Sequence, residues 1–154
     1  MSSRKGNEVE KVMFHLAFPV NDLKEAKKFY IEGLGCTLGR VSPSALTLEL
    51  GGHQIVAHLT TLELKPQKGI YPRHFGLIFP SEKQWQVLAD RVKEKGLQFY
   101  QQPRLRFPGS RLEHLTFFLE DPFHNLLEFK YYKHESAIFG EQHFTKVGDS
   151  EEQH

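Results

Sequence analysis

"MFHLAFPVNDLKEAKKFYIEGLG", residues 13–35, and "HFGLIFPSEKQWQVLADRVKEKG", residues 74–96, decide the fold, because the second repeats the plan of the first. Each opens with an apolar run closing on Phe-Pro, crosses a polar cap, continues with apolar residues at helical spacing and stops at glycine. Phe18-Pro19 recur as Phe79-Pro80, and Gly35 as Gly96, each 61 residues on. In the first copy the spacing predicts a strand over 13–19. A helix follows, N-capped by Asn21 or Asp22, with Leu23, Ala26, Phe29 and Tyr30 on one face and an end near Gly33. In the second copy a strand over 74–80 leads into Ser81, which with Gln84 forms a capping box. Trp85, Leu88, Ala89 and Val92 make the apolar stripe of that helix, and Gly96 stops it.

Short β segments follow each copy: near 36–41, 45–50 and 54–60 in the first, and near 97–101, 113–119 and 125–132 in the second. Ser-Pro-Ser and Gly51-Gly52 punctuate the first set, and a turn at Asp121-Pro122 joins the last two strands. The chain therefore reads as a duplicated βαβββ unit, with modules at about 12–62 and 72–133. Val56-Ala57-His58-Leu59 best matches Leu126-Leu127-Glu128-Phe129, 70 residues on, so the second module carries a longer loop, assigned to QQPRLRFPGSR. Residues 1–11 and 140–154 are polar and read as disordered tails around one domain over 12–139.

At 154 residues the chain can bury a core without metal or disulfide. Twenty Lys and Arg against 19 Asp and Glu leave a net charge of +1, and neither sign gathers into a block, which argues against nucleic acid or membrane partners and for a small molecule. The single cysteine, Cys36, cannot form an internal disulfide, no signal-like apolar run opens the chain, and no segment approaches the roughly 20 apolar residues of a membrane helix, so the expectation is a cytoplasmic protein.

The repeat also lines up polar residues inside apolar strands. His15 and His74 fall in the first strands of the two modules. His74 lies two residues before the strict image of His15, a displacement that preserves the strand face. His58 and Glu128 fall in the last strands. A lone strand histidine is ordinarily a hydrogen-bonded core residue. Glu128 weighs more, since a carboxylate within LLEFKYY is rarely buried unless paired or metal-bound. Neutral imidazoles with one carboxylate suit a divalent first-row metal: two His and one Glu with open positions match non-haem Fe(II) oxygenases, and four-point sets suit Zn, Ni, Co or Mn.

"FHLAFPVNDLKEAKKFYIEGLGC", "RHFGLIF" and "FFLEDPFHNLLEF" resemble the glyoxalase/bleomycin-resistance/extradiol-dioxygenase group, the vicinal oxygen chelate superfamily, over nearly all of the folded part. "GHQIVAHL" and "EFKYYK" look closest to small predicted extradiol-type dioxygenases. The resemblance implies an α+β fold in which two βαβββ modules form a half-open mixed β-barrel with flanking helices around a divalent metal. By motif it implies His15, His74 and Glu128 as metal ligands. Glyoxalases usually carry Glu at the last-strand position of module one, where this chain has His58. His58 is thus a spare ligand, a base outside the ligand set or a packed residue.

In that superfamily the metal chelates two neighbouring substrate oxygens and stabilises the charge that develops on them. The resemblance implies a metal-dependent enzyme, first an Fe(II) extradiol-type ring-cleavage dioxygenase. The alternatives are a glyoxalase-like lyase, isomerase or thiol transferase using Ni, Zn, Co or Mn, and a metal-free drug-binding resistance protein. His58 and His114 are the candidates for proton transfer. His53 and His124 read as exposed and turn residues, Arg104, Arg106 and Arg111 as solvated or as a carboxylate clamp, and Tyr71, Phe75, Phe117 and Tyr131 as core or pocket lining. Half-barrels with exposed sheet edges point to a homodimer.

Overall fold

A computed structural model describes residues 10–147. The tails expected at 1–9 and 148–154 lie outside the described residues. The chain forms two compact units, one reaching Gln67 and including Pro122–Asn125, the other holding Lys68–Asp121 and the chain from Leu126 onward. The α+β class and the duplicated βαβββ order are as the repeat predicts.

In the first unit, β1 (His15–Val20) pairs in parallel with β4 (His53–Leu59), which runs antiparallel to β3 (Ala45–Leu50), itself antiparallel to β2 (Thr37–Ser42). Asp22, of the two candidate caps, accepts the Glu25 N–H at 3.0 Å and starts α1 (Leu23–Lys27). Beyond α1 the coil widens to π turns over Lys28–Gly33, with the Leu34 N–H bonded to the Phe29 carbonyl five residues back. Alternation then divides the sheet. Phe18, Val20, Leu46, Leu48, Ile55 and Ala57 are buried with Ala26, Phe29 and Tyr30. His15, Ala17, Gln54, Val56 and His58 occupy the other face, where His15 and His58 are exposed. Gly51 and Gly52, both at positive φ, close the two-residue β3–β4 hairpin, a turn that needs left-handed backbone at both positions.

In the second unit, β5 (Phe75–Ile78) pairs in parallel with β8 (Leu126–Tyr132), then β7 (His114–Glu120) and β6 (Phe99–Arg106) follow antiparallel. Ser81 caps α2 (Glu82–Glu94), whose Trp85, Ala89 and Val92 are buried while Leu88 is half-buried. The indole N–H of Trp85 donates to the Phe129 carbonyl at 2.8 Å, tying helix to sheet. Leu127, Phe129 and Phe117 fill that side. On the opposite face His114, Thr116, Phe118 and Glu128 are also buried, which no residue of the first unit's corresponding face matches.

Two boundaries differ from the sequence reading. QQPRLR is not loop: Phe99–Arg106 forms β6, and the connection shrinks to 107–113. Pro103 is tolerated because the register shifts between Gln101 and Arg104, where the ladder asks for no amide donor. Residues 140–147, grouped with the polar tail by composition, fold back instead after α3 (Ser136–Phe139), held by a polar knot. Arg111 reaches Glu141 (3.3 Å), His134 (3.1 Å) and the Ser136 hydroxyl (3.1 Å), and that hydroxyl donates to Glu141. Composition scores apolar content and cannot register such pairs.

Candidate metal centre

Glu128 sits in the middle of β8 with 5% of its surface exposed, in an apolar strand where an unpaired carboxylate would be costly. Three neighbours hold it. The Thr116 hydroxyl donates to Oε2 at 2.6 Å, His74 Nε2 lies 3.2 Å from Oε1, and Lys130 Nζ lies 3.6 Å from Oε1. Burial pushes the Glu128 pKa up, but His74, Lys130 and Thr116 outweigh it, and the net position is below the ordinary carboxylate value. The hydrogen bond to Glu128 raises the His74 pKa, against the opposing effect of burial.

His74 stands just before β5 rather than within it. Its Nδ1 donates to the Ile70 carbonyl at 2.8 Å, so Nε2 is the nitrogen turned to Glu128. In the first unit His15 shows the same arrangement, with Nδ1 2.7 Å from the Gln54 amide oxygen and Nε2 left available. Anchoring one imidazole nitrogen on an acceptor fixes the ring and presents the other to a metal. Two ligand atoms about 2.1 Å from a common ion lie about 3.0 Å apart at a right angle and about 3.4 Å apart at a tetrahedral one. The observed 3.2 Å between His74 Nε2 and Glu128 Oε1 falls between these. The spacing of the donor pair therefore fits a divalent ion between them.

Strand register revises the symmetry read from the repeat. His15 stands opposite Gln54, and Gly76, its strict 61-residue image, stands opposite Glu128. Counted from the first strand, Gln54 rather than His58 takes the place of Glu128. His58 lies opposite Pro19, four residues further on, or about 13 Å along the strand. Among the described residues, no group of three or more His, Cys, Asp or Glu side chains could hold a metal ion, and the second unit contributes the His74–Glu128 pair.

Other candidates separate by environment. His114 is buried; its Nδ1 donates to the Leu112 carbonyl at 2.9 Å, and burial lowers its pKa, keeping the ring neutral. His114 Nε2 is shielded from solvent with no hydrogen-bond partner, which ordinarily costs about 1–3 kcal/mol. His53 accepts the Phe14 N–H, His124 occupies a positive-φ turn, and Phe117 is core. Of the arginines, Arg106 is buried on β6, Arg104 is exposed, and Arg111 ties down the C-terminal segment. Tyr71 lies against His74, while Phe75 and Tyr131 are half-buried. Thr116, Lys130, Tyr132 and Gln54 are absent from the sequence reading. Three of them were open to it: Lys130 and Tyr132 share the parity of Glu128 on β8, and Gln54 shares that of His58 on β4.

A glyoxalase/bleomycin resistance protein/dioxygenase superfamily model matches residues 12–129. The chain belongs to this superfamily. A protein of the same description from Alicyclobacillus acidocaldarius is 44% identical, with a TM-score of 0.79, covering 83% of this chain and 96% of its own. An integron cassette protein of Vibrio cholerae (22% identity, TM-score 0.57, 82% and 98% covered) and the fosfomycin resistance protein FosX of Listeria monocytogenes (18%, 0.64, 84% and 99%) share the fold. A search of curated proteins returned no match. Members of the superfamily commonly bind divalent metals and act on small molecules. No helix among the described residues is long and apolar enough to cross a membrane.

The His74–Glu128 pair carries a pH signature. His74, whose pKa is raised above its ordinary 6.5, adds stability that is fully present below 6.5 and is lost as pH rises through the folded value. Glu128, lowered from 4.5, adds stability present above 4.5 and lost as pH falls through its folded value. The pair thus contributes most between 4.5 and 6.5. Denaturant unfolding of chelator-treated protein should show the stability gap between wild type and His74→Ala shrinking above pH 6.5. A gap that widens there would contradict the pairing.

Proposed function

We propose that this protein is a metal-dependent enzyme that engages a small substrate through two neighbouring oxygens, and specifically an extradiol-type ring-cleavage dioxygenase using Fe(II). The observation that supports this reading best is the pairing of half-buried His74 with buried Glu128, with Thr116 fixing the carboxylate and Ile70 fixing the imidazole. His74 and Glu128 would hold the ion. His15, its ring set by Gln54, is proposed as the third protein ligand on the strength of the family resemblance, giving two His and one Glu.

A bound divalent ion would supply Lewis-acid stabilisation of charge on the chelated oxygens. The chain's own residues account for the rest. Thr116 holds Glu128 so that Oε1 faces His74. Lys130 places a positive charge beside the carboxylate and donates to the Tyr132 hydroxyl at 3.0 Å, so anionic substrate oxygens meet an attractive field. Neutral His114, its Nδ1–H committed to Leu112, offers a lone pair at Nε2 and is proposed as proton acceptor. His58 is proposed as the second proton-transfer candidate, exposed on the face that carries Gln54.

Elemental analysis of anaerobically purified protein, coupled to oxygen uptake on a panel of catechols, tests the proposal. Near-stoichiometric iron with catechol-dependent uptake is the expected result. Nickel or zinc without uptake would overturn the dioxygenase reading in favour of a lyase, isomerase or thiol transferase. Wild-type protein without metal, or metal undiminished in His74→Ala/Glu128→Ala, would overturn the metal reading altogether and leave ligand sequestration.

A further inference from the structure

Beyond β8 the chain turns through His134 into α3, and residues 137–147 roof a pocket of about 270 Å³ over His114 and Arg106. We propose that the segment 136–147 is a cover that opens when His134 is protonated, giving solvent and small molecules access to His114. The use made of that access rests on the proton-acceptor role proposed for His114; the opening itself does not.

Little apolar burial holds the segment down. No residue of 136–147 is buried, Phe139 is 94% exposed, and Ala137, Ile138 and Phe144 are only half-buried where they line the pocket. Segments with so few buried apolar contacts open locally at small cost in free energy. What pins this one is Arg111, in the connection 107–113, whose Nε donates to Glu141 at 3.3 Å and whose Nη2 donates to the Ser136 hydroxyl at 3.1 Å. Beneath the segment, His114 Nε2 is shielded from solvent with no hydrogen-bond partner, a cost of the closed form that water removes on opening.

The remaining contact of Arg111 makes the pin sensitive to protons. Its Nη1 lies 3.1 Å from His134 Nδ1. A guanidinium nitrogen only donates, so Nδ1 accepts, and the half-buried ring is neutral with its hydrogen on Nε2. A proton on Nδ1 sets two donors against each other and a positive ring beside the guanidinium. Glu141 offsets only part of this, since its Oε2 already accepts from Arg111 and Ser136. His143 Nε2, 4.0 Å from Glu141 Oε1, favours closure when charged, but it is 73% exposed, where an ion pair counts for little. Lys133, next to His134 in the chain, is paired with Glu113 at 3.8 Å, and Glu135 is exposed. Acidification through the ordinary histidine range therefore loosens the pin. All of these groups belong to the second unit, and none is a proposed metal ligand.

Hydrogen exchange of the full chain, read by mass spectrometry and corrected for the intrinsic pH dependence of exchange, tests this. The reporters are the hydrogen-bonded amides of Ala137, Ile138, Gly140 and Phe144, with β7 and β8 as internal reference. Protection over 136–147 should fall about tenfold between about pH 7.5 and about pH 5.5, the size of one hydrogen bond to a charged donor, while β7 and β8 keep theirs. His134→Asn, whose amide oxygen accepts from Arg111 and does not titrate, should remove the pH dependence, and His143→Asn should keep it. At the higher pH, Arg111→Ala should already have lost about tenfold in protection, and its His114 should react about tenfold faster with diethyl pyrocarbonate, located by peptide mapping. Wild-type protection independent of pH, an unchanged pH dependence in His134→Asn, an equal loss in β7 and β8, or unchanged His114 reactivity in Arg111→Ala would overturn the proposal. Neither measurement needs metal or substrate, so failure of the cover and failure of the dioxygenase reading are separate results.

Discussion

Glu128→Ala is expected to lower affinity for a divalent metal at least 100-fold, roughly the upper end of what losing even an outer partner costs, and to remove metal-dependent activity with it. The same change should destabilise the fold by about 3 kcal/mol, because one member of a buried charge cluster disappears while the others stay. Lys130, with a quarter of its side chain exposed, would lose the carboxylate that raises its pKa against the effect of burial. Thr116, fully buried, would lose its acceptor. Glu128→Gln separates the two effects: it keeps an acceptor for Thr116 and the side-chain volume, so it should lose metal while recovering most of the stability. Metal content by elemental analysis and denaturant unfolding measure the two quantities. Glu128→Ala protein that retains its metal, or loses none of its stability, would show that the carboxylate is a bystander.

Gly76→Ala is expected to be more damaging to the fold than any charge change. A Cβ at this position would lie 1.6 Å from the Glu128 carbonyl oxygen, 2.6 Å from its carbon and 3.0 Å from its nitrogen. All three are backbone atoms of the neighbouring strand, so no side-chain rotation relieves the clash, and β5 must separate from β8. Such a loss belongs with the exceptional mutations above about 4 kcal/mol, and Tm should fall by the order of 15 °C or more. Since β5 follows His74 directly and pairs with the strand of Glu128, metal loading should fail together with stability. Thermal unfolding monitored by circular dichroism decides it: a Gly76→Ala protein melting within about 3 °C of wild type would refute the close approach.

Gly76 also shows why the repeat was readable but inexact. The strict image of His15 falls on a position where the strands approach too closely for any side chain. The second module supplies its imidazole from His74 instead, two residues earlier. Sequence spacing preserves the face in that move, because strand side chains alternate with period two. It does not preserve the partner: His15 faces Gln54 across β1–β4, whereas His74 faces Glu128. Matching the last strands by local similarity therefore aligned His58 with Glu128, while hydrogen-bond register places Gln54 there.

The chain alone determined what local periodicity and capping encode: two βαβββ modules, helices capped at Asn21 or Asp22 and at Ser81, their apolar stripes, and the histidines and glutamate that resemble a known ligand set. These are legible because each depends on residues within a few turns of one another. Only the tertiary structure decided that Glu128 is buried against His74, Thr116 and Lys130, that Gln54 holds His15, and that residues 137–147 cover His114 and Arg106. Those contacts join positions on different strands or beyond the last one. Strand register and a few polar pairs set them, and neither leaves a periodic trace in the sequence.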